Sequence, residues 1–237
     1  MNKYFVYVLA FLISICASCT KDSVQSEDRS HLYYPLQKGN KYVYKVTYIQ
    51  IDKPTEINDT VEYMLREQIV AVFIDTLQYE TYVVQQDSAV SDSTPWIPVR
   101  QIAVRREGNE LVRLTNNCEK LVLQFPVSYR MSWDVHVYNG EDEQLATYTD
   151  IHTKYESSEF SADSSVTVER ANFKSLYSYV YHTQTYAFNV GLCAQTDIDI
   201  ESQPSQNNGS VDLSLPIEQR VTYGYFKYYN LVSFSGN

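Results

Sequence analysis

Between residues 41 and 51 the chain alternates: Tyr42, Tyr44, Val46 and Tyr48 share one parity, and Val43, Lys45, Thr47, Ile49 and Ile51 the other. Period-two alternation of aromatic and β-branched residues marks a strand whose two faces are used differently. The same pattern predicts strands over 60–67, 69–74, 77–85, 100–106, 110–114 and 119–125. Further strands are predicted over 133–138, 146–154, 165–169, 176–186, 194–200 and 221–234. Glu107-Gly108-Asn109 supplies a hairpin turn, and Asn116-Asn117 turns the chain again into a three-strand meander. Residues 61–70 come nearest to a helical period, yet Val61, Tyr63 and Leu65 keep to period two. More than ten strands without a helix predict an all-β, antiparallel fold, either a sandwich or a curled half-barrel. Polar breaks at 88–94, 140–144, 156–165 and 201–210 are too short to divide the chain. One domain over 31–237 is therefore expected.

The start of the chain follows another pattern. Lys3 precedes an apolar run from Tyr4 to Ala17. As a helix it spans about 21 Å, short of the ~30 Å hydrocarbon core, so it reads as a secretory signal and not a membrane span. Cys16-Ala17-Ser18-Cys19 resembles a bacterial lipobox. This predicts a signal peptide over 1–18 and lipidation of Cys19. Residues 19–30 then form a flexible tether, polar apart from Val24. The expected address is the cell envelope, anchored by lipid, at the outer membrane on its periplasmic or surface face. Cleavage near Ala17 to release a soluble protein is the alternative.

Composition narrows the function classes. The 237 residues carry 19 Lys and Arg against 29 Asp and Glu, a formal charge of −10. A nucleic-acid partner is excluded on that balance, because phosphate contacts need clustered cations. Loss of Cys16 and lipidation of Cys19 leave Cys118 and Cys193, which in an exported protein can form a disulfide or remain buried thiols. No CxxC spacing supports thiol redox chemistry or a thiolate metal site.

Three short stretches resemble a widespread group of exported lipoproteins from the Bacteroidetes. The first runs from Tyr34 to Tyr44 (YPLQKGNKYVY); the second is Phe125-Pro126 with Ser132-Trp133-Asp134; the third runs from Tyr186 to Leu192 (YAFNVGL). Many relatives carry Trp where Tyr42 stands, and an aliphatic or aromatic residue where Cys193 stands. The resemblance implies an exported β domain and no chemistry, since most of the group is of unknown function. Read by themselves, these residues are structural: Pro35 keeps Tyr34 extended, Trp133 anchors a core, and Gly191 marks a bulge or close approach.

Candidate chemistry is sparse. Asp197, Asp199 and Glu201 alternate along one strand face, a weak candidate for a cation such as Ca²⁺ set against a plain solvated face. His31, His136, His152 and His182 are isolated in sequence; His136 and His152 could converge in space. Nucleophile motifs such as GxSxG are absent, so no catalytic residue and no cofactor is assigned. The 22 Tyr are the distinctive resource. Tyr177, Tyr179 and Tyr181 alternate on one strand, Tyr223 and Tyr225 on another, and together they suggest an aromatic surface for a glycan, peptide or protein partner. Five Asp-Ser/Thr pairs followed by a small or apolar residue, at Asp22, Asp59, Asp75, Asp87 and Asp92, resemble O-glycosylation acceptors; turn chemistry accounts for them equally. The expected protein is a non-enzymatic binding or accessory module. A carrier enclosing an apolar ligand and a hydrolase with paired acids are the alternatives, separated by whether the fold shows an open aromatic groove, a deep apolar cavity or two carboxylates in a cleft.

Overall fold

The computed structural model describes residues 28–203 and 212–236. The predicted signal peptide, Cys19, most of the tether and the Asp22 glycosylation pattern lie outside them. Twelve strands follow one another: β1 (Lys41–Asp52), β2 (Ile57–Ile74), β3 (Glu80–Ala89), β4 (Ile97–Glu107), β5 (Glu110–Thr115), β6 (Cys118–Gln124), β7 (Ser132–Asp134), β8 (Leu145–Glu156), β9 (Ser161–Lys174), β10 (Ser178–Ala187), β11 (Gly191–Glu201) and β12 (Tyr223–Ser235). All pair antiparallel in one sheet of order β6-β5-β4-β3-β2-β1-β12-β11-β10-β9-β8-β7. The sheet is a nearly closed, barrel-like one, so the curled form of the two predicted architectures is the one adopted.

The two edges meet. Leu121 N–H on β6 donates to Val135 O just beyond β7 at 2.9 Å, and the Trp133 indole N–H donates to Leu121 O at 3.1 Å. Trp133 is buried among the core and lies 4.9 Å, centroid to centroid, from Tyr148. The seam is short: β7 covers only Leu145, Ala146 and Thr147 of β8, so the sheet is nearly, not fully, closed.

Alternation decides what lies inside. Tyr42, Tyr44 and Val46 of β1 face Leu65 and Ile69 of β2, Val84 of β3 and Ile102 and Val104 of β4, with Val166 and Val168 of β9 on the opposite wall. A 3₁₀ turn, Ser30–Tyr33, plugs the end of the barrel at which β1 begins. Its Tyr33 hydroxyl bonds His152 Nδ1 at 2.6 Å and Ser164 Oγ at 2.7 Å, and Tyr34 packs 6.1 Å from Tyr186. The three short motifs meet here. A Cβ on Gly191, at φ +112°, would rest on the Tyr42 ring and Pro35, while Arg106 stacks over Phe125 and reaches the Tyr34 carbonyl. A second, outer cluster of Ile198, Ile200 and Phe226 is covered by Ile217 and Val221.

Several boundaries differ from the sequence pattern. The strands predicted over 60–67 and 69–74 are one strand of 18 residues, with a register shift between Ile69 and Ala71. A single unpaired residue there changes the parity of the apolar positions, which is why the pattern looks broken. The predicted strand over 133–138 stops at Asp134. There the carboxylate accepts the N–H groups of His136 and Gln144, both at 2.9 Å, and so replaces the ladder with a turn. The strand predicted over 165–169 runs from Ser161 to Lys174, because the face that Val166 and Val168 carry continues through Ala162 on one side and Arg170 on the other, a small and a charged residue that apolar alternation does not reveal.

Candidate functional site

Strand register separates the tyrosines that sequence had grouped. Tyr179 and Tyr181 pair with Ile200 and Ile198, face outward and pack on the outer cluster, with rings stacked at 6.0 Å. Tyr177 is exposed in the bend before β10. Tyr223 and Tyr225 have the opposite orientation. They pair with Glu201 and Asp199 and, with Tyr48, line a shallow concavity of about 320 Å³ at the open end of the barrel. Tyr48 and Tyr225 lie 6.0 Å apart. The five tyrosines therefore do not form one ligand surface, since a parity that is inward on β12 is outward on β10.

Asp197, Asp199 and Glu201 do share the inner face. Asp197, however, is bound by Arg170 Nη2 at 3.3 Å and by the Gln195 amide, and pairs with Lys227 across the sheet. Among the described residues no three His, Cys, Asp or Glu are arranged to hold a metal ion, so the three acids do not form the suggested cation site. The histidines do not converge either. His152 bonds Tyr33, whereas His136 contacts Lys120, Glu141 and the Asp142 carbonyl in the hairpin after β7.

Cys118 and Cys193 are both free, and the disulfide they could have formed is not made. Cys193 is buried in the core with its thiol directed at Thr185 O, 3.3 Å away, and burial pushes its pKa up to about 12. Cys118 sits on the other wall against Glu141 and Asn139. The acidic turn at 141–143 thus contributes a clasp, with Glu141 held by Lys120 at 3.4 Å and His136 at 3.1 Å.

One concavity lies inside the curl. A chamber of about 270 Å³ is walled by residues of β1 to β6 and of β9 to β12, with Tyr44, Leu65 and Leu192 among its apolar residues. It shares Leu65, Gln86, Arg100 and Tyr229 with a wider mouth of about 670 Å³, where Val61, Val90, Ile97 and Val99 leave large apolar surfaces exposed. In the register of β1 and β2, Val61 and Tyr63 lie toward the Asp52 end of β1, away from the plug. The cavity therefore deepens toward the plugged end and opens at the other.

Charge is concentrated in the chamber. Glu67 Oε1, on a residue only 5% exposed, accepts from Arg113 Nη2 at 2.7 Å and from Gln86 Nε2 at 2.5 Å. Gln86 Oε1 in turn accepts from Arg100 Nε at 2.5 Å. A second chain lines the facing wall: Tyr186 hydroxyl donates to Gln184, Gln184 to Gln195, and Gln195 to Asp197, which holds Arg170. Arg100, Arg113, Lys120 and Arg170 line the chamber, while Glu67 is the single carboxylate among its lining residues. Burial raises the Tyr34 phenol to about 12 beside Arg113, whose charge acts in the opposite direction. Sequence reading passed over these residues. Their signal is a charge at an inward parity: Glu67 between Leu65 and Ile69, and Arg100 before Ile102 and Val104.

No protein-family model matches the chain, and no curated protein matches it. Among solved structures it is similar to a putative lipoprotein from Parabacteroides distasonis, at 13% identity, over 86% of this chain and 98% of that one, with a TM-score of 0.41.

Proposed function

We propose that the protein is a lipid-anchored, non-enzymatic binding module of the cell envelope, tethered through Cys19 to the outer membrane, whose curled sheet holds a small molecule in its interior. The carrying observation is the continuous cavity, apolar at its mouth and polar at its floor. The mouth, at about 670 Å³, falls in the range of about 300–1,000 Å³ usual for small-molecule sites, and the chamber of about 270 Å³ adjoins it. This favours an enclosed ligand over the aromatic surface expected from the tyrosines. It also joins the carrier alternative to the binding one. The sole lining carboxylate, Glu67, is occupied by Arg113 and Gln86, which favours binding over acid-pair hydrolysis.

Two measurements test the proposal. Cells fed labelled palmitate should incorporate label into the wild-type chain and not into Cys19→Ala; equal labelling contradicts the anchor. A neutral, environment-sensitive apolar dye should brighten on the full chain. Ser88→Trp, which places a large ring among the mouth residues, should abolish the signal; unchanged brightening contradicts an interior site.

A further inference from the structure

We infer that the ligand of this cavity is an anionic amphiphile, with an acyl chain against the apolar mouth and a carboxylate or phosphate group at the arginines of the floor. The inference rests on the interior site proposed above and assigns its chemistry.

The mouth supplies the apolar half. Val61, Val90, Ile97 and Val99 are 49%, 80%, 64% and 53% exposed, though they line one concavity. Four aliphatic residues left wet around one concavity, three in strands and Val90 just after β3, are anomalous for packing and suited to covering by a chain of methylenes. Apolar surface predominates at the mouth over that of its polar side chains, Ser88, Thr94 and Lys227 among them, so a sugar or a polar peptide is poorly matched there.

The floor supplies the charge. Arg113 is neutralised by Glu67 and Arg170 by Asp197, while Lys120 leans on Glu141. Arg100 has no carboxylate partner among the described residues; its Nε donates to the Gln86 amide oxygen, and its terminal nitrogens make no hydrogen bond among those residues. The amide is oriented by Glu67, so Arg100 is held by a chain of hydrogen bonds that ends on a buried acid. It stands where mouth and chamber join, lining both. Arg170 Nε is buried without a partner on the chamber wall, a further sign that the donors here exceed what the protein itself accepts. A guanidinium fixed by its Nε and open at its terminal nitrogens suits two-pronged recognition of a carboxylate or phosphate.

Binding of four probes to the full chain would decide this: decanoate, decyl phosphate, decanol and inorganic phosphate, titrated by calorimetry. Decanoate or decyl phosphate should bind at least about tenfold more tightly than decanol, and whichever is tighter identifies the head group. Inorganic phosphate, lacking the chain, should bind far more weakly than either. Arg100→Gln, at an exposed residue outside the packed core, should bring the anions down to the affinity of decanol and leave decanol unchanged; Arg170→Gln offers a second reading on the opposite wall. Equal affinities for decanol and the anions, all lost in Ser88→Trp, would overturn the anionic assignment and leave the interior site standing. Binding of every probe unaffected by Ser88→Trp, or no binding of any, would overturn the interior site and this inference with it.

Discussion

At Gly224 the backbone adopts φ +124°, and a Cβ there would lie 2.1 Å from the Asp199 carbonyl oxygen on β11. Only glycine accepts both the conformation and the approach. Gly224→Ala is expected to destabilise the protein by about 2 kcal/mol or more, read as a fall in thermal midpoint with the outer cluster of Ile198, Ile200 and Phe226 loosened. His182 gives a prediction in pH. Burial holds its pKa below the ordinary value, helped by Arg170 and opposed by Asp197 and Asp199. The unfolded chain therefore takes up the proton more readily than the folded one, and stability is lost as pH falls below about 6.5. Thermal midpoints at pH 7.5 and 5.5 should show a larger drop for the wild type than for His182→Asn; equal drops would exclude this histidine as a source. Residues of this kind were partly legible in the sequence. Gly191, expected at a bulge or a close approach, is set apart by its φ of +112° while its neighbours Tyr42 and Pro35 stand at ordinary contact distance; Glu67 and Arg113 stood in plain view as charges at inward parity, without a partner strand to show that they meet.

The strands themselves were legible because each carries its own alternation, which needs no partner to be read. What escaped were the places where a local bond or an extra residue changes parity: the register shift between Ile69 and Ala71, and the Asp134 carboxylate that ends β7 after three residues. Facing was lost for the same reason. Tyr179 and Tyr223 look alike in sequence, yet one is outside and the other inside because the register across β10, β11 and β12 sets them on opposite faces. At this scale Trp133 tests the closure of the sheet. Trp133→Phe keeps a ring in the core and removes the indole N–H to Leu121 O, and should cost about 1 kcal/mol. Trp133→Ala should cost about 3–5 kcal/mol. Denaturant unfolding of the two variants separates the hydrogen bond from the packing; a Trp133→Phe variant as stable as the wild type would mean that the edge-to-edge bond contributes nothing.

For the whole molecule, the twelve strands form a vessel stopped at one end by Tyr33 and Tyr34 and open at the other beside Tyr48 and Tyr225. Pro35, Tyr42, Phe125 and Gly191 gather at the stopped end, while Tyr44 and Leu192 reach the chamber wall and Trp133 closes the seam. The cavity carries the proposed function whether or not Cys19 is lipidated. Native mass spectrometry of the full chain, purified gently from cells, tests it most directly. A population heavier than the ligand-free protein by the mass of one small molecule is predicted, absent when Ser88→Trp fills the mouth. The same adduct on wild type and Ser88→Trp, or the ligand-free mass alone in the wild type, would contradict it.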